Sequence, residues 1–154
     1  MYYMKDKEMS KSHRLAWAAG FIDGDGFITI QNRKSIVNGK TYSGTYLRVG
    51  ACQAKQDVLL ELQSLFGGSI RPKNSGPNRE GYNRKPQWIW SLSTQEAAGA
   101  LKQLLPFIIH KKDVAVLALE FQETMSTNKQ QLSQDTVEKR LSIQAEIVRI
   151  NSLS

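Results

Sequence analysis

Two carboxylates, Asp23 and Asp25, flank Gly24 at the end of a segment, Leu15 to Ile22, that carries no charged residue. A carboxylate beside so apolar a stretch is costly to bury unless it is paired, capped or bound to a metal. The same segment repeats small residues, Ala16, Gly20 and Gly24, at i, i+4 and i+8, with Ala19 beside them. That spacing lets a second helix approach nearly backbone to backbone. Taken alone, the stripe serves equally well for packing against the chain's own sheet. Other carriers of chemistry are thin. His13 and His110 have no cysteine partners for a zinc set, and no Ser or Cys motif makes them part of a nucleophile triad. Cys52 is the single cysteine, which excludes a disulfide framework and points to a reducing compartment; its apolar context predicts an inert buried thiol.

The acids need an element that positions them. Ser10 or Ser12 can cap a helix over Ser10 to Ile22, whose Leu15, Ala16, Ala18, Ala19, Phe21 and Ile22 leave almost no polar face. Such a helix is expected to be buried on most sides, with Asp23-Gly24-Asp25-Gly26 as its exit. Phe27 to Val37 and Lys40 to Gln53 read as strands joined by Asn38-Gly39, a strong hairpin signal. With Val37 opposite Lys40, Ile28 pairs with Val49 and Ile30 with Leu47 on one face. The other face collects Thr29 with Arg48, Gln31 with Tyr46, Arg33 with Gly44 and Ser35 with Tyr42. The turn does not impose this sorting into apolar and polar-basic faces, so it is an independent check on the register.

Helical spacing returns over Gln56 to Phe66 and stops at Gly67-Gly68. A second hairpin follows from Ser69 to Lys73 and from Gln87 to Leu92, with Trp88, Trp90 and Leu92 inward and Arg71, Lys73, Gln87 and Ile89 outward. Asn74 to Lys85 forms its long exposed loop. Three helices complete the chain. Thr94 to Leu105 is stopped by Pro106; Lys112 to Met125 turns Val114, Val116, Leu117 and Phe121 inward; Ser133 to Ile150 carries Val137, Leu141, Ala145 and Val148 as its apolar stripe. Thr127 to Leu132 is a polar connection. The order α-β-β-α-β-β-α-α-α predicts an α+β fold with a four-stranded antiparallel sheet covered by helices on one face.

A length of 154 residues fits one domain, 1–154, with no internal repeat. No apolar run approaches the roughly 20 residues of a membrane helix, so no membrane partner is expected. The net charge of +7 points toward a polyanion, and its distribution sharpens the point. Phe27 to Ser93 holds ten basic and three acidic residues, so the entire excess lies in the two hairpins and the helix between them.

Ala18-Ala19-Gly20-Phe21-Ile22-Asp23-Gly24-Asp25-Gly26 resembles the Leu-Ala-Gly-Leu-Ile-Asp-Ala-Asp-Gly motif of the LAGLIDADG homing endonucleases, identical at Ala19, Gly20, Ile22, Asp23, Asp25 and Gly26. The element order agrees over nearly the whole chain. The resemblance implies a saddle-shaped sheet, and two motif helices packed at a twofold axis, each delivering its last acid to a shared metal site. By position Asp25 is the metal-binding acid, Gly24 adds a backbone carbonyl, and Asp23 is a capping and interface residue. Magnesium is the implied cofactor, with manganese a possible substitute, because it accepts one or two carboxylates plus phosphate oxygens and water. A single motif copy implies a homodimer with Ala16, Ala19, Gly20 and Asp23 at the interface, a long pseudo-palindromic DNA site, and a double-strand break that promotes intron mobility. Gln53 and Lys111, the latter after Pro106-Phe107, match positions that order water around the metals in homodimeric members. Asp57 stands where a basic residue is usual, and Lys55 is its suggested substitute.

The outward faces of both hairpins present Thr29, Gln31, Arg33, Ser35, Tyr46, Arg48, Arg71, Lys73, Gln87 and Ile89. A two-stranded ribbon fits the major groove of double-stranded DNA, where Arg and Lys suit guanine, Gln suits adenine and an apolar tip suits the thymine methyl. Arg79, Arg84, Lys85, Lys139 and Arg140 are expected on phosphates. Two other readings keep the scaffold: an RNA-binding intron maturase and a DNA-binding regulator without catalysis. The intact acids favour the nuclease. Met1 to Asp6 lacks signal-peptide order. The protein is expected to act where it is made, in an organelle if organelle-encoded and otherwise in a bacterial cytoplasm.

Overall fold

A computed structural model describes residues 9–73, 81, 85–125 and 133–153. Among them the order is α1 (Lys11–Asp25), β1 (Gly26–Val37), β2 (Lys40–Gln53), α2 (Asp57–Phe66), β3 (Ser69–Lys73), β4 (Gln87–Ser93), α3 (Thr94–Leu104), α4 (Lys112–Glu123) and α5 (Gln134–Ser152). The four strands form one antiparallel sheet in the order β1-β2-β4-β3. Asn38 and Gly39 take φ of +51° and +75°, the left-handed pair that a two-residue hairpin turn requires. The turn sets Val37 opposite Lys40, and the pairs Ile28–Val49, Thr29–Arg48, Ile30–Leu47 and Gln31–Tyr46 follow as expected.

The core lies between one face of this sheet and the helices. Ile28, Ile30, Leu47, Val49, Ala51, Trp90 and Leu92 meet Leu59, Leu62, Leu101, Leu104, Phe121 and Ile147 there, all buried. Trp90 is anchored as well as buried, its indole N–H donating to the carbonyl of Gly67 at 2.9 Å. No helix of the described residues is long and apolar enough to cross a membrane.

Several expectations change. α1 does not exit at Ile22. Ser10 caps it, accepting from the His13 N–H, and the helix runs through Asp25, so both acids sit in its last turn. Gly26 then starts β1 in extended conformation, and a Cβ there would come within 2.8 Å of the Ile22 Cα. Only a glycine lets the strand leave so close to the helix. Nor is α1 buried on most sides. Ala18, Ala19 and Ile22 are buried, while Ala16, Trp17, Gly20, Gly24 and Asp25 are exposed.

α5 turns a different face inward from the one its stripe suggested. Ile143 and Ile147 are buried, whereas Leu141, Ala145 and Val148 face solvent. Val116 of α4 is likewise exposed, its inward places being taken by Val114, Ala115, Ala118 and Phe121. Cys52 is half-buried on the outward sheet face, opposite Ile89.

Candidate active site

Residues two apart on a helix project about 200° apart around its axis. Asp23 and Asp25 therefore leave the last turn of α1 on nearly opposite sides. Asp23 turns toward the segment entering α4. Its Oδ2 accepts from the N–H of Ile109 at 2.7 Å and of His110 at 3.2 Å, and its Oδ1 from the N–H of Lys111 at 2.9 Å. The Lys111 ammonium reaches back to the Asp23 carbonyl at 2.6 Å. Burial works to raise the pKa of this carboxyl, but the three N–H donors and the Lys111 charge outweigh it and hold Asp23 below the usual aspartate value. Asp23 is thus the cap that the resemblance implied, closing α1 onto the α4 entry and fixing Lys111.

Asp25 is exposed, and among the described residues one hydrogen bond addresses it. Gln53, the last residue of β2, donates from Nε2 to Asp25 Oδ2 at 3.3 Å. The end of α1 thereby gathers Asp25, Gln53 and Lys111, the three groups selected from sequence. The last carbonyls of a helix lack partners within it, and the helix dipole makes that end negative. The Gly24 carbonyl and the Asp25 carboxylate offer hard oxygens at such an end, a donor set that fits a divalent cation of the magnesium type. No cluster of three or more acidic, His or Cys side chains exists among the described residues, so one chain supplies no closed cage. That too fits a cation completed by phosphate and water.

Asp57, in place of the usual basic residue, opens α2 in its first turn and accepts from the Val58 N–H at 2.9 Å. An acid suits that end of a helix. Lys55 is exposed in the turn before it.

Beyond the acids the outward sheet face forms an open hollow of about 770 Å³, lined among others by Gly24, Thr29, Gln31, Arg48, Lys73 and Lys111. Arg33, Tyr46, Arg71 and Ile89 line the adjoining one. Ser35 and Gln87 are exposed farther out. Two guanidinium groups lie over aromatic rings: Arg33 5.4 Å from the ring centre of Tyr46, and Arg48 5.4 Å from that of Phe27. Phe27 can lie there because its strand partner is Gly50, where a Cβ would stand 2.6 Å from the ring.

Sequence reasoning missed Phe27, His110 and Asn151 as lining residues of the larger hollow. His110 had one available signal, its place just before Lys111. Asn151 had none, since it arrives from the far end of the chain and donates to the Ile28 carbonyl at 3.1 Å. Of the expected phosphate contacts, Lys85 and Lys139 are exposed, and Arg79 and Arg84 lie outside the described residues. Arg140 is a correction. Its guanidinium binds Thr124 Oγ1 at 2.8 Å and the Thr124 carbonyl, so it clamps α5 to the end of α4.

On the far side of α1 the small-residue stripe is open. A Cβ at Gly20 or Gly24 would meet nothing within 4 Å, and Trp17 stacks on Phe21 beside them at 6.0 Å. Ala19 is corrected out of this stripe: it is fully buried in the chain's own core and has no surface to give a partner.

Residues 18–111, which start within α1 and run through both hairpins to Lys111, match the family model described as LAGLIDADG endonuclease. The chain belongs to that family. Among LAGLIDADG relatives it is 27% identical over 122 residues to DNA endonuclease I-CvuI of Chlorella vulgaris, covering 75% of this chain and 68% of the relative. The fold is that of solved LAGLIDADG enzymes. The structure of I-CvuI with its target in the presence of calcium superposes at a TM-score of 0.70, with 19% identity, over 90% of this chain and 82% of the other. The archaeal intron-encoded homing endonuclease I-Vdi141I complexed with DNA gives 0.71, with 16% identity, over 92% and 86%. I-SmaMI bound to uncleaved DNA in the presence of calcium gives 0.57, with 25% identity, over 88% of this chain but 45% of that one.

Proposed function

We propose that this chain is a site-specific homing endonuclease that acts as a homodimer and makes a double-strand break in a long, pseudo-palindromic DNA site, promoting intron mobility. The observation that carries the reading is the exposed Asp25, set at the seam between an open small-residue stripe and a basic sheet face. Two copies joined along Ala16, Gly20 and Gly24 would bring two such acids together and extend the sheet face across a twofold axis. The relatives' structures with calcium support a divalent cation; magnesium is the proposed ion, with manganese able to replace it.

Asp25 and the Gly24 carbonyl would hold that ion. When bound, it supplies an acidified water and neutralises charge on the phosphate. Gln53 orients the Asp25 carboxylate. Lys111, tethered by the Asp23 carbonyl, keeps a positive charge beside the phosphate. Arg48, Arg71 and Lys73 bind and position the DNA, with Thr29, Gln31, Arg33, Ser35, Gln87 and Ile89 facing base edges and Tyr46, expected among them, committed by its hydroxyl to Gln31.

Selection of cleaved sites from a randomised duplex library in magnesium tests this reading together with sedimentation of the protein. The expected result is cutting of both strands within a long, twofold-symmetric site by a dimer. Gly20→Leu is expected to yield a folded monomer that does not cut, because a Cβ at this exposed position would meet nothing within 4 Å in its own chain. A monomeric wild type, or no cleavage with either metal, would overturn the proposal.

A further inference from the structure

Gln31 sits on the outward face of β1 with its amide oxygen already committed. Tyr46 Oη donates to Gln31 Oε1 at 2.9 Å, and Arg48 Nη1 donates to the same oxygen at 3.4 Å. A tyrosine hydroxyl alone would not orient the amide, since it can give or take a proton. A guanidinium has no acceptor, so the end of the amide facing Arg48 must be the oxygen. Both lone pairs of that oxygen are then used, and what Gln31 shows to the solvent is its NH₂ group, two donors and no acceptor.

The arrangement is braced. Arg48 gives its other terminal nitrogen to Ser91 Oγ at 3.4 Å on β4 and lies over the Phe27 ring. The guanidinium of Arg33 lies over the Tyr46 ring. Tyr46, Gln31, Arg48 and Ser91 thus form a chain of hydrogen bonds across β2, β1, β2 and β4, and all four are half-buried. Turning the amide around would place its NH₂ against Arg48, donor against donor.

We infer that Gln31 reads guanine rather than adenine, with Tyr46 and Arg48 as the positioning residues that set this preference. The inference rests on the nuclease reading of the same face. A glutamine recognises adenine by accepting from N6 and donating to N7, which needs both ends of the amide free. Guanine shows two acceptors, N7 and O6, in the major groove, and a donor-only amide matches them. The general expectation that glutamine suits adenine is therefore reversed at this position by its neighbours.

The test is a selection of bound duplexes from a randomised library in calcium, run on the wild type, Gln31→Ala and Tyr46→Phe. Gln31→Ala identifies the base pair that Gln31 reads, as the one whose preference collapses. At that pair the wild type is expected to favour guanine over adenine by about tenfold, within the range of one good base contact. Tyr46→Phe keeps the ring under Arg33 but frees one lone pair of the amide oxygen. It is expected to bring adenine to within about threefold of guanine at that pair, with the other positions unchanged, a pattern that general loosening of the sheet would not produce. A wild-type preference for adenine there, a Tyr46→Phe profile identical to wild type, or no position altered by Gln31→Ala would each overturn the inference while leaving the nuclease reading in place. A wild type that selects no DNA sequence at all would overturn both.

Discussion

The two sides of α1's last turn carry the same functional group and treat it in opposite ways. On one side the Asp23 carboxylate is saturated by three backbone N–H groups and draws Lys111 onto its own carbonyl. On the other, Asp25 faces solvent and, among the described residues, takes one hydrogen bond, from Gln53 at 3.3 Å. The cause is helical geometry: two residues of separation turn one acid into the protein and the other out of it. A carboxylate with its oxygens occupied by amides is a structural part, whereas one with free lone pairs at the negative end of a helix is available to a cation. The motif's paired acids are thus a clasp and a candidate ligand, and each is meaningful because the other is not doing its task.

The comparison breaks most visibly at Asp25. Asp25→Asn keeps size and shape and removes the charge, so it is expected to bind DNA within about threefold of wild type. Its magnesium-dependent cleavage is expected to fall at least about a thousandfold, since a bound metal contributes several kcal/mol to such a reaction. Gel-shift titration beside single-turnover cleavage checks both halves. Normal cutting by this variant would remove the assigned difference between the two acids.

At Asp23 the expected cost is to the fold. Asp23→Asn leaves one acceptor oxygen where two had been, facing three donors. Bonds to a charged group contribute about 1.5–3 kcal/mol net, so urea denaturation at neutral pH is expected to show a loss of about 2 kcal/mol. The folded fraction of this variant should still cleave, because the Lys111 ammonium is held by the backbone carbonyl of residue 23, which the substitution leaves in place. A variant as stable as wild type would mean that the clasp contributes nothing.

The same contrast explains what was legible in the sequence. The hairpin register was readable because Asn38-Gly39 and the period-two alternation are local and redundant, and every pair from Ile28–Val49 to Val37–Lys40 forms as expected. Asp25 and Gln53 were reached through the motif. Asp23's donors were not, because Ile109, His110 and Lys111 lie 86 to 88 residues away and bond through backbone groups that leave no side-chain signature. α5 misled for another reason: Val137, Leu141, Ala145 and Val148 and the alternative pair Ile143 and Ile147 both satisfy helical spacing, and only tertiary contact chooses between them. Arg140 shows the same limit for charge. Its position suggested phosphate, but the hydroxyl and carbonyl of Thr124 at the end of α4 bind it.

The finest test of the contrast is acid. Asp23's carboxyl is held below its unfolded value, so the unfolded chain takes up a proton before the folded one as pH falls. Asp23's contribution to stability is therefore complete above the ordinary aspartate pKa of about 3.9 and is lost progressively as pH drops toward the lower folded value. The charged group beside it is Lys111, whose positive charge is one of the causes that hold Asp23 in its ionised form. In Asp23→Asn no such proton exists. The stability gap between wild type and Asp23→Asn is expected to hold steady from pH 7 to about pH 5 and to shrink by pH 3, as wild-type Asp23 becomes a neutral acid. Paired urea titrations at these values measure it, and a gap that stays constant down to pH 3 would show that the clasp acts through shape and not through charge.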